Sequence, residues 1–455
     1  MCFFTLLITK TIIFIFRMFG KGATTLPGRV ALRMNPKILE KLASNFKIIM
    51  VTGTNGKTTT TKIISNLLSH HGMSHICNNS GANLVPGITT TFIEGHTLLG
   101  KPKKSTALIE IDEAAFLKIS KMIPSIEYLV ITNFFRDQLD RYGELYTTLS
   151  GIRDGLNNLS CKHLILNADD SLSSSLAKNF YSDIIYYGFN CDAYSPDNYI
   201  FNTDANFCIF CKNEYKYTNH VYGHLGGFYC DKCGYKKKDT DISCSLVQQL
   251  SPSSSQIKFK ILSDEYTAKI NLPGLYNIYN ALASISLAYS LQIPANTILD
   301  SIEHFESSFG RMESIPVDDK TIKLILVKNP AGFNQVINYL LNEDNNLQIA
   351  FLLNDNAADG TDVSWIWDAD LENLCGKDPN ILVGGTRLFD MATRLKYAGI
   401  PAKNISTFSN YTKLINDGLS RTNPGQSFYI LPTYTALLKV RKILKNKFKL
   451  KEFWK

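Results

Sequence analysis

The last third of this 455-residue chain contains no histidine. All eight lie at or before His304, and only one of the ten cysteines, Cys375, comes after it. That stretch therefore cannot build a cysteine–histidine nucleophile from its own side chains, and it has no glycine-rich phosphate loop. Uninterrupted apolar runs are missing too. The N-terminus, MCFFTLLITKTIIFIFRMFGK, is broken by Lys10 and Arg17 and falls short of the roughly 18–20 residues of a membrane span. It has neither a charged leading region nor a small-residue cleavage site, so a signal peptide is not expected. It reads as a helix that packs on the body or lies on a bilayer surface. Internal repeats and low-complexity tracts are absent. The net charge of +8 is mild; it suits an anionic ligand such as a nucleotide or a phospholipid surface, and it does not point to nucleic acid.

What is present is globular: 45% hydrophobic and 19% charged residues exclude a disordered chain. The length suits roughly three domains. From about 46 to 170, the runs KIIMV, TALIEI, YLVIT and HLILN alternate with helix-period segments, the signature of a parallel α/β sheet. A cysteine-rich break follows, then a helix near LYNIYNALASISLAYSLQ. TIKLILVKN opens a second α/β series with LQIAFLL, NILVGG and SFYILP. The expected architecture is a helical segment over 1–44 and a central parallel-sheet P-loop ATPase domain over 45–310. That domain carries a zinc-ribbon insertion at about 201–240, and a C-terminal α/β domain occupies 311–455. The basic tail KVRKILKNKFKLKEFWK is either a solvated terminal helix or a contact for an anionic membrane.

KIIMVTGTNGKTTTTKIISNLLSHHG reads as strand, glycine loop and helix. Ile63, Ile64, Leu67 and Leu68 share one helical face, and Gly72 is a natural stop. Gly53 and Gly56 let the backbone of Gly53, Thr54, Asn55, Gly56, Lys57, Thr58 and Thr59 turn its N–H groups toward a phosphate at a helix N-terminus. Lys57 can reach the β- and γ-phosphates of ATP, and the Thr58 hydroxyl can hold Mg²⁺. Val51 stands where the general motif has glycine. Acids gather after two later strands: Glu110, Asp112 and Glu113, then Asp137 and Asp140 beside Gln138. Ligands collect at the carboxyl ends of strands in such sheets, and one or two carboxylates suffice for Mg²⁺.

Cys208-x-x-Cys211 and Cys230-x-x-Cys233 have zinc-ribbon spacing, and four thiolates make a closed, structural Zn²⁺ site. It would contribute on the order of 10 kcal/mol to a small module with no core of its own. His220 and His224, between the pairs, read as loop residues. The other six cysteines are scattered, which suits a reducing, cytoplasmic compartment. The segment NDNAADGTDVSWIWDAD, from Asn354 to Asp370, packs five aspartates and two of the three tryptophans. Asp359 suits a cap for the following helix; Asp368 and Asp370 suit first-turn or surface acids. The spacing fits no calcium loop, which lacks its distal glutamate here. A third use is to orient a histidine of another chain, as the acid of a Cys-His-acid set does.

TGTNGKTTT, the strand-end Glu110, TNFFRDQLD, LNADD, PGLYNIYNALA and FGRMES, in this order, resemble the Mur ligase family of ATP-dependent peptidoglycan ligases. The resemblance implies Lys57 and Thr58 on ATP and Mg²⁺, Glu110 as a Mg²⁺ ligand, Asn277 near the nucleotide, and Arg311 touching it from the hinge. Two departures stand out: Gln138 and Tyr276 replace histidines usual in the family. VKNPAGFN and the aspartate segment resemble the MurT-type subgroup, whose members pair with a glutamine amidotransferase subunit of GatD type and act on lipid II. That resemblance implies that Asp362 completes the partner's triad, with Asp355 the runner-up. It further implies amidation of the α-carboxylate of D-glutamate through an acyl phosphate, by a cytoplasmic enzyme at the inner face of the membrane or free of it. Trp365 and Trp367 are then interface anchors or are buried in their own domain. Two rival readings remain: a self-sufficient Mur or folylpolyglutamate-type amino acid ligase, and a non-catalytic nucleotide-binding scaffold that recruits partners through its zinc ribbon.

Overall fold

Runs of Val, Ile and Leu buried on both faces form the middle of a nine-stranded sheet. The computed structural model describes residues 2–19, 23–78, 81–137, 145–190, 204–251, 254–272, 274–305, 311–343 and 346–448. In sheet order, His75–Cys77, Thr106–Glu110, Lys47–Thr52, Ser125–Ile131, Ser160–Asn167, Asp183–Phe189 and Ile242–Ser251 are parallel neighbours. Ser254–Ile261 and Asp264–Ile270 extend the edge antiparallel. The four apolar runs pair in parallel as expected, and the sheet turns antiparallel only at its far edge. The physical reason is a change of period: in SSQIKFKI, Ile257, Phe259 and Ile261 are buried while Lys258 and Lys260 are exposed, as in a one-sided antiparallel strand.

Helices cover both faces. Lys57–His70 and Leu275–Ser290 pack Ile63, Ile64, Leu67, Leu68 and Leu282 on one face. The other is covered by Leu26–Met34, Val85–Glu94, Glu113–Ser120 and Leu145–Asn158. The N-terminal run forms the helix Cys2–Met18, which buries Thr5, Leu6, Thr9 and Ile13 toward Leu26–Met34 and Val85–Glu94. No described helix is long and apolar enough to cross a membrane.

The C-terminal region forms a six-stranded sheet in the order Arg311–Val317, Lys320–Ile325, Ser427–Pro432, Gln348–Leu352, Asn380–Gly384, Ile405–Thr407. Only the first pairing is antiparallel. Helices again cover both faces, and the basic tail forms Tyr434–Phe448, with Leu437, Val440 and Leu444 buried.

The motif LNADD ties the cysteine-rich insertion to the sheet. Asp170, fully buried, accepts from Phe134 N at 2.8 Å and Leu172 N at 2.9 Å, and lies 3.2 Å from Nε2 of buried His224. Asp169, also fully buried, accepts from Phe189 N at 2.8 Å and the Tyr279 hydroxyl at 2.6 Å, and pairs with Lys237 at 2.5 Å. His224 is a loop residue, in the turn between the strands Lys216–Tyr222 and Leu225–Tyr229, but a buried one held in this network, whereas His220 lies in the first of those strands. The insertion also has a small core of its own, Tyr215 and Phe228 with Tyr217 and Tyr235, contrary to the expectation that metal alone orders it.

Burial pushes the Asp169 carboxyl upward, opposed chiefly by Lys237. Lys237→Met should therefore strand a buried carboxylate and destabilise the protein by about 3 kcal/mol. A urea unfolding midpoint equal to that of the parent would disprove this role.

Candidate active site

The phosphate loop sits where the strand Lys47–Thr52 hands over to the helix Lys57–His70. Gly53 and Gly56 hold φ of +126° and +85°. A Cβ on Gly56 would come within 2.1 Å of Asn280 Oδ1, and one on Gly53 within 2.3 Å of Thr132 Oγ1. Neither position tolerates a side chain, so the backbone is free to approach a ligand. Val51, in the place of the motif's usual glycine, is a buried strand residue paired in register with Glu110. The neighbouring strand end holds the loop in shape. Thr54 N donates to Asn133 O at 2.8 Å, Asn55 N to Asn133 Oδ1 at 3.0 Å, and Thr132 Oγ1 to Asn55 O at 2.7 Å.

Lys57 is buried. Its ammonium donates to Gly53 O at 2.5 Å, Thr54 O at 3.1 Å and Glu113 Oε2 at 2.6 Å. Burial alone would lower its pKa, but Glu113, Asp112 and Glu110 outweigh that and hold it above the ordinary value. The cation is thus kept charged beneath the loop. Glu110 is buried at its strand end and accepts from Asn83 Nδ2 at 3.0 Å. Asp112 caps the helix Glu113–Ser120 through Ala114 N at 3.2 Å. Asn277 is buried in the first turn of Leu275–Ser290 and accepts from Asn280 Nδ2 at 3.1 Å.

The second domain closes over this loop with residues that sequence reasoning quoted without a role. Lys328 pairs with Asp137 at 2.5 Å and donates to Thr54 O at 3.4 Å; Asn329 Nδ2 donates to Asn55 Oδ1 at 3.0 Å. A cleft of about 90 Å³ lies between the domains, lined by Gly56, Thr58, Thr59, Tyr276, Asn277 and Lys328. Gln138 and Asp140 lie outside the described residues, as does the side chain of Arg311, which opens the strand Arg311–Val317. The signal that might have found Lys328 is its place just before Asn329 and Pro330, which start the helix Pro330–Leu341. A wider cavity of about 300 Å³ adjoins the cleft, sharing Tyr222, Ala331 and Gln335 with it and reaching Asp368 and Asp370.

The Sγ atoms of Cys208, Cys211, Cys230 and Cys233 lie within 4.8 Å of one another, with Cys208–Cys233 at 3.5 Å and Cys211–Cys230 at 3.4 Å. Tetrahedral Zn–S bonds of about 2.3 Å require S···S edges near 3.8 Å, so the donor set fits zinc. His220 and His224 are not in the cluster.

The five aspartates separate by partner. Asp359, buried, accepts from Thr435 N at 2.6 Å and so caps the distant helix Tyr434–Phe448, not the turn that follows it. Asp355 is held below the ordinary carboxylate range by the Thr386 hydroxyl and by Arg387. Asp368 faces Arg136 at 3.6 Å. Asp370, raised mainly by burial, accepts from Asn334 Nδ2 at 2.7 Å. Asp362 is partly exposed; its Oδ1 accepts from Ser364 N at 2.8 Å. Trp365 is buried against Phe333, whereas Trp367 is 51% exposed beside Tyr397. Trp365 is thus buried in its own domain, while Trp367 is exposed.

Residues 51–288 match the model of the Mur ligase middle domain, and residues 326–437 that of the MurT ligase C-terminal domain. The chain is 38% identical to the lipid II isoglutaminyl synthase (glutamine-hydrolyzing) subunit MurT of Streptococcus pneumoniae and 35% identical to that of Staphylococcus aureus, over 95% of each chain. Among solved structures it resembles a pseudomurein peptide ligase type C from Methanothermus fervidus (TM-score 0.66, 21% identity, 92% of this chain and 83% of that one). It also resembles the MurF ligase of Thermotoga maritima in complex with ADP (TM-score 0.63, 14% identity, 92% and 84%).

Lys57→Ala should abolish ATP turnover while the circular-dichroism spectrum remains that of a folded protein; full turnover would refute the loop's assignment. Freshly purified reduced protein should carry one equivalent of zinc by elemental analysis. Cys211→Ser/Cys233→Ser should lose it and melt at lower temperature; retention of the metal by that variant would place it elsewhere.

Proposed function

The chain belongs to the Mur ligase family, among the MurT subunits of glutamine-hydrolysing lipid II isoglutaminyl synthase, and from that premise we propose how its residues divide the work. It is a carbon–nitrogen ligase that amidates the D-glutamate α-carboxylate of the lipid II stem peptide to D-isoglutamine at the expense of ATP. The carboxylate oxygen takes the γ-phosphoryl group and ADP leaves. Ammonia then attacks the acyl carbon, inorganic phosphate departs, and the nitrogen loses a proton.

The observation that carries the reading is the convergence of Lys57 and Lys328, from two domains, on one phosphate loop. Positioned cations and backbone donors stabilise charge on a transferring phosphoryl group. Binding of the triphosphate would draw the Lys57 ammonium from Glu113 toward the β- and γ-oxygens. Asn277 and Tyr276, which line the cleft, would lie beside the nucleotide, and the family resemblance assigns Arg311 a contact to it from the hinge. Thr58 and Glu110 would hold Mg²⁺, which when bound neutralises phosphate charge. Zn²⁺ at the four cysteines is structural, since four thiolates leave no open position.

The nitrogen comes from a glutaminase subunit of GatD type, forming a heterodimer with this chain. Asp362 supplies the acid that orients that subunit's histidine. Three features support this assignment. Among the described residues Asp362 Oδ2 accepts no hydrogen bond, Asp355 is already engaged by Thr386 and Arg387, and exposed Trp367 with Tyr397 offers an aromatic anchor in the same segment. A reducing, cytoplasmic setting suits the zinc thiolates, and the described cysteines form no disulfide.

Asp362→Asn should leave ATP binding, complex formation and ammonia-driven amidation intact, while glutamine hydrolysis by the complex falls by on the order of 10⁴. Normal glutaminase activity in that complex would remove Asp362 from the role.

A further inference from the structure

One long face of the helix Cys2–Met18 is covered by no described residue. Phe3, Phe4, Leu7, Ile8, Phe14, Ile15 and Met18 are exposed, Phe4, Phe14 and Met18 by 66%, 63% and 71%. Their spacing puts them opposite the buried Thr5, Leu6, Thr9 and Ile13. The only hydroxyl on that exposed side, Thr11 Oγ1, is turned back onto Leu7 O at 2.9 Å. The face therefore offers a partner apolar surface and no free hydrogen-bonding group.

A second apolar tip stands nearby. After the helix Val85–Glu94 the chain makes a turn, closed by Thr97 N to Lys101 O at 2.8 Å and Lys103 N to Gly95 O at 2.8 Å, whose tip is Leu98 and Leu99, the latter 78% exposed. Arg17 pairs with Glu94 at the base of this turn. Lys103 is close enough to Lys10 to add to the effect of burial in lowering that ammonium to about 8. The helix and the turn are thus neighbours.

Charge identifies what covers them. Residues 1–45 contain seven lysines and arginines against one acid, Glu40, which is six of the chain's eight net positive charges. Arg29, Arg33, Lys101, Lys103 and Lys104 are exposed and form no ion pair among the described residues. Protein interfaces favour aromatic residues, Met and Arg but also carry hydrogen bonds across the contact, which this face does not offer. An apolar helical face of phenylalanine and isoleucine with a basic surround is instead the pattern of a helix lying in a membrane interface. Lys10 and Arg17 interrupt the helix, and it is too short and too charged to span.

We propose that this face lies in the plane of an anionic phospholipid bilayer, its phenylalanine, isoleucine and leucine side chains entering the acyl boundary and the surrounding lysines and arginines meeting the headgroups. The surface adds to the amidation reading, on which it rests only for its use: a lipid-linked substrate would be met where it resides.

Cosedimentation of the full chain with vesicles tests this. Binding should be seen with equimolar phosphatidylglycerol and phosphatidylcholine, weaken with added salt, and be minor with phosphatidylcholine alone. Phe4→Ser/Phe14→Ser and, independently, Leu98→Ser/Leu99→Ser should each reduce binding by about tenfold. The unfolding midpoint should be kept, because Leu6, Thr9 and Ile13 are untouched. Failure of the parent chain to bind anionic vesicles, or unchanged binding by both variants, overturns the proposal. So does a dimer in light scattering, or capture of the glutaminase subunit, that Phe4→Ser/Phe14→Ser abolishes while vesicles are ignored. Amidation of a soluble muropeptide, measured in parallel, reports on the catalytic reading separately, since neither variant touches the cleft.

Discussion

A buried ammonium must be neutralised where it stands, and much of the site follows from that requirement. Lys57 lies under its own loop, held by two carbonyls and Glu113. Desolvating a lone cation is costly, so strand ends that deliver Glu110, Asp112 and Glu113 are a condition of having the lysine there at all. The same solution recurs across the domain boundary, where Lys328 meets Asp137. In the absence of a phosphate these carboxylates hold the cations in place. On the proposed reading, a triphosphate would compete with these carboxylates for the two ammonium groups.

A second constraint is mechanical. The cysteine-rich insertion has only a small aromatic core, and it is fastened to the sheet by Asp169 and Asp170, both fully buried. These acids bind backbone N–H groups, Lys237, Tyr279 and His224 together. Phe135, next to the loop-holding Asn133, stacks on Tyr222 of the insertion at 5.5 Å between centroids. The cysteine-rich insertion therefore buttresses the wall of the cavity beside the cleft, since Tyr222 lines both spaces.

The phosphate loop and the four-cysteine site were legible because both depend on residues close in sequence: glycines that need positive φ, a lysine one turn into a helix, and thiols in paired spacing. Glu113 was visible only as one acid among several, and its bond to Lys57 spans 56 positions. Lys328 and Asn329 reach the loop across 274 residues, a distance over which periodicity carries no information. The antiparallel edge is hard to read for a different reason: its alternation is interrupted by the serines between Leu250 and Ser255. Asp359 was read as a local cap because local capping is the common use of such an aspartate, but its partner is Thr435.

What the sequence by itself determined was local and covalent: which backbone stretches bend, which helices and strands form, which four sulfurs have the spacing of one metal site, and that the last domain lacks a histidine. What only the tertiary structure decided was the partner of each charged group. Asp355, Asp359, Asp362, Asp368 and Asp370 are chemically identical in the chain, yet one caps a remote helix, one is engaged by Thr386 and Arg387, one faces another domain and one is half-buried against an amide. Asp362 is partly exposed, and among the described residues its Oδ2 accepts no hydrogen bond. The reason is that a carboxylate's role is set by the donors and the dielectric around it, and those are supplied by segments far away in sequence.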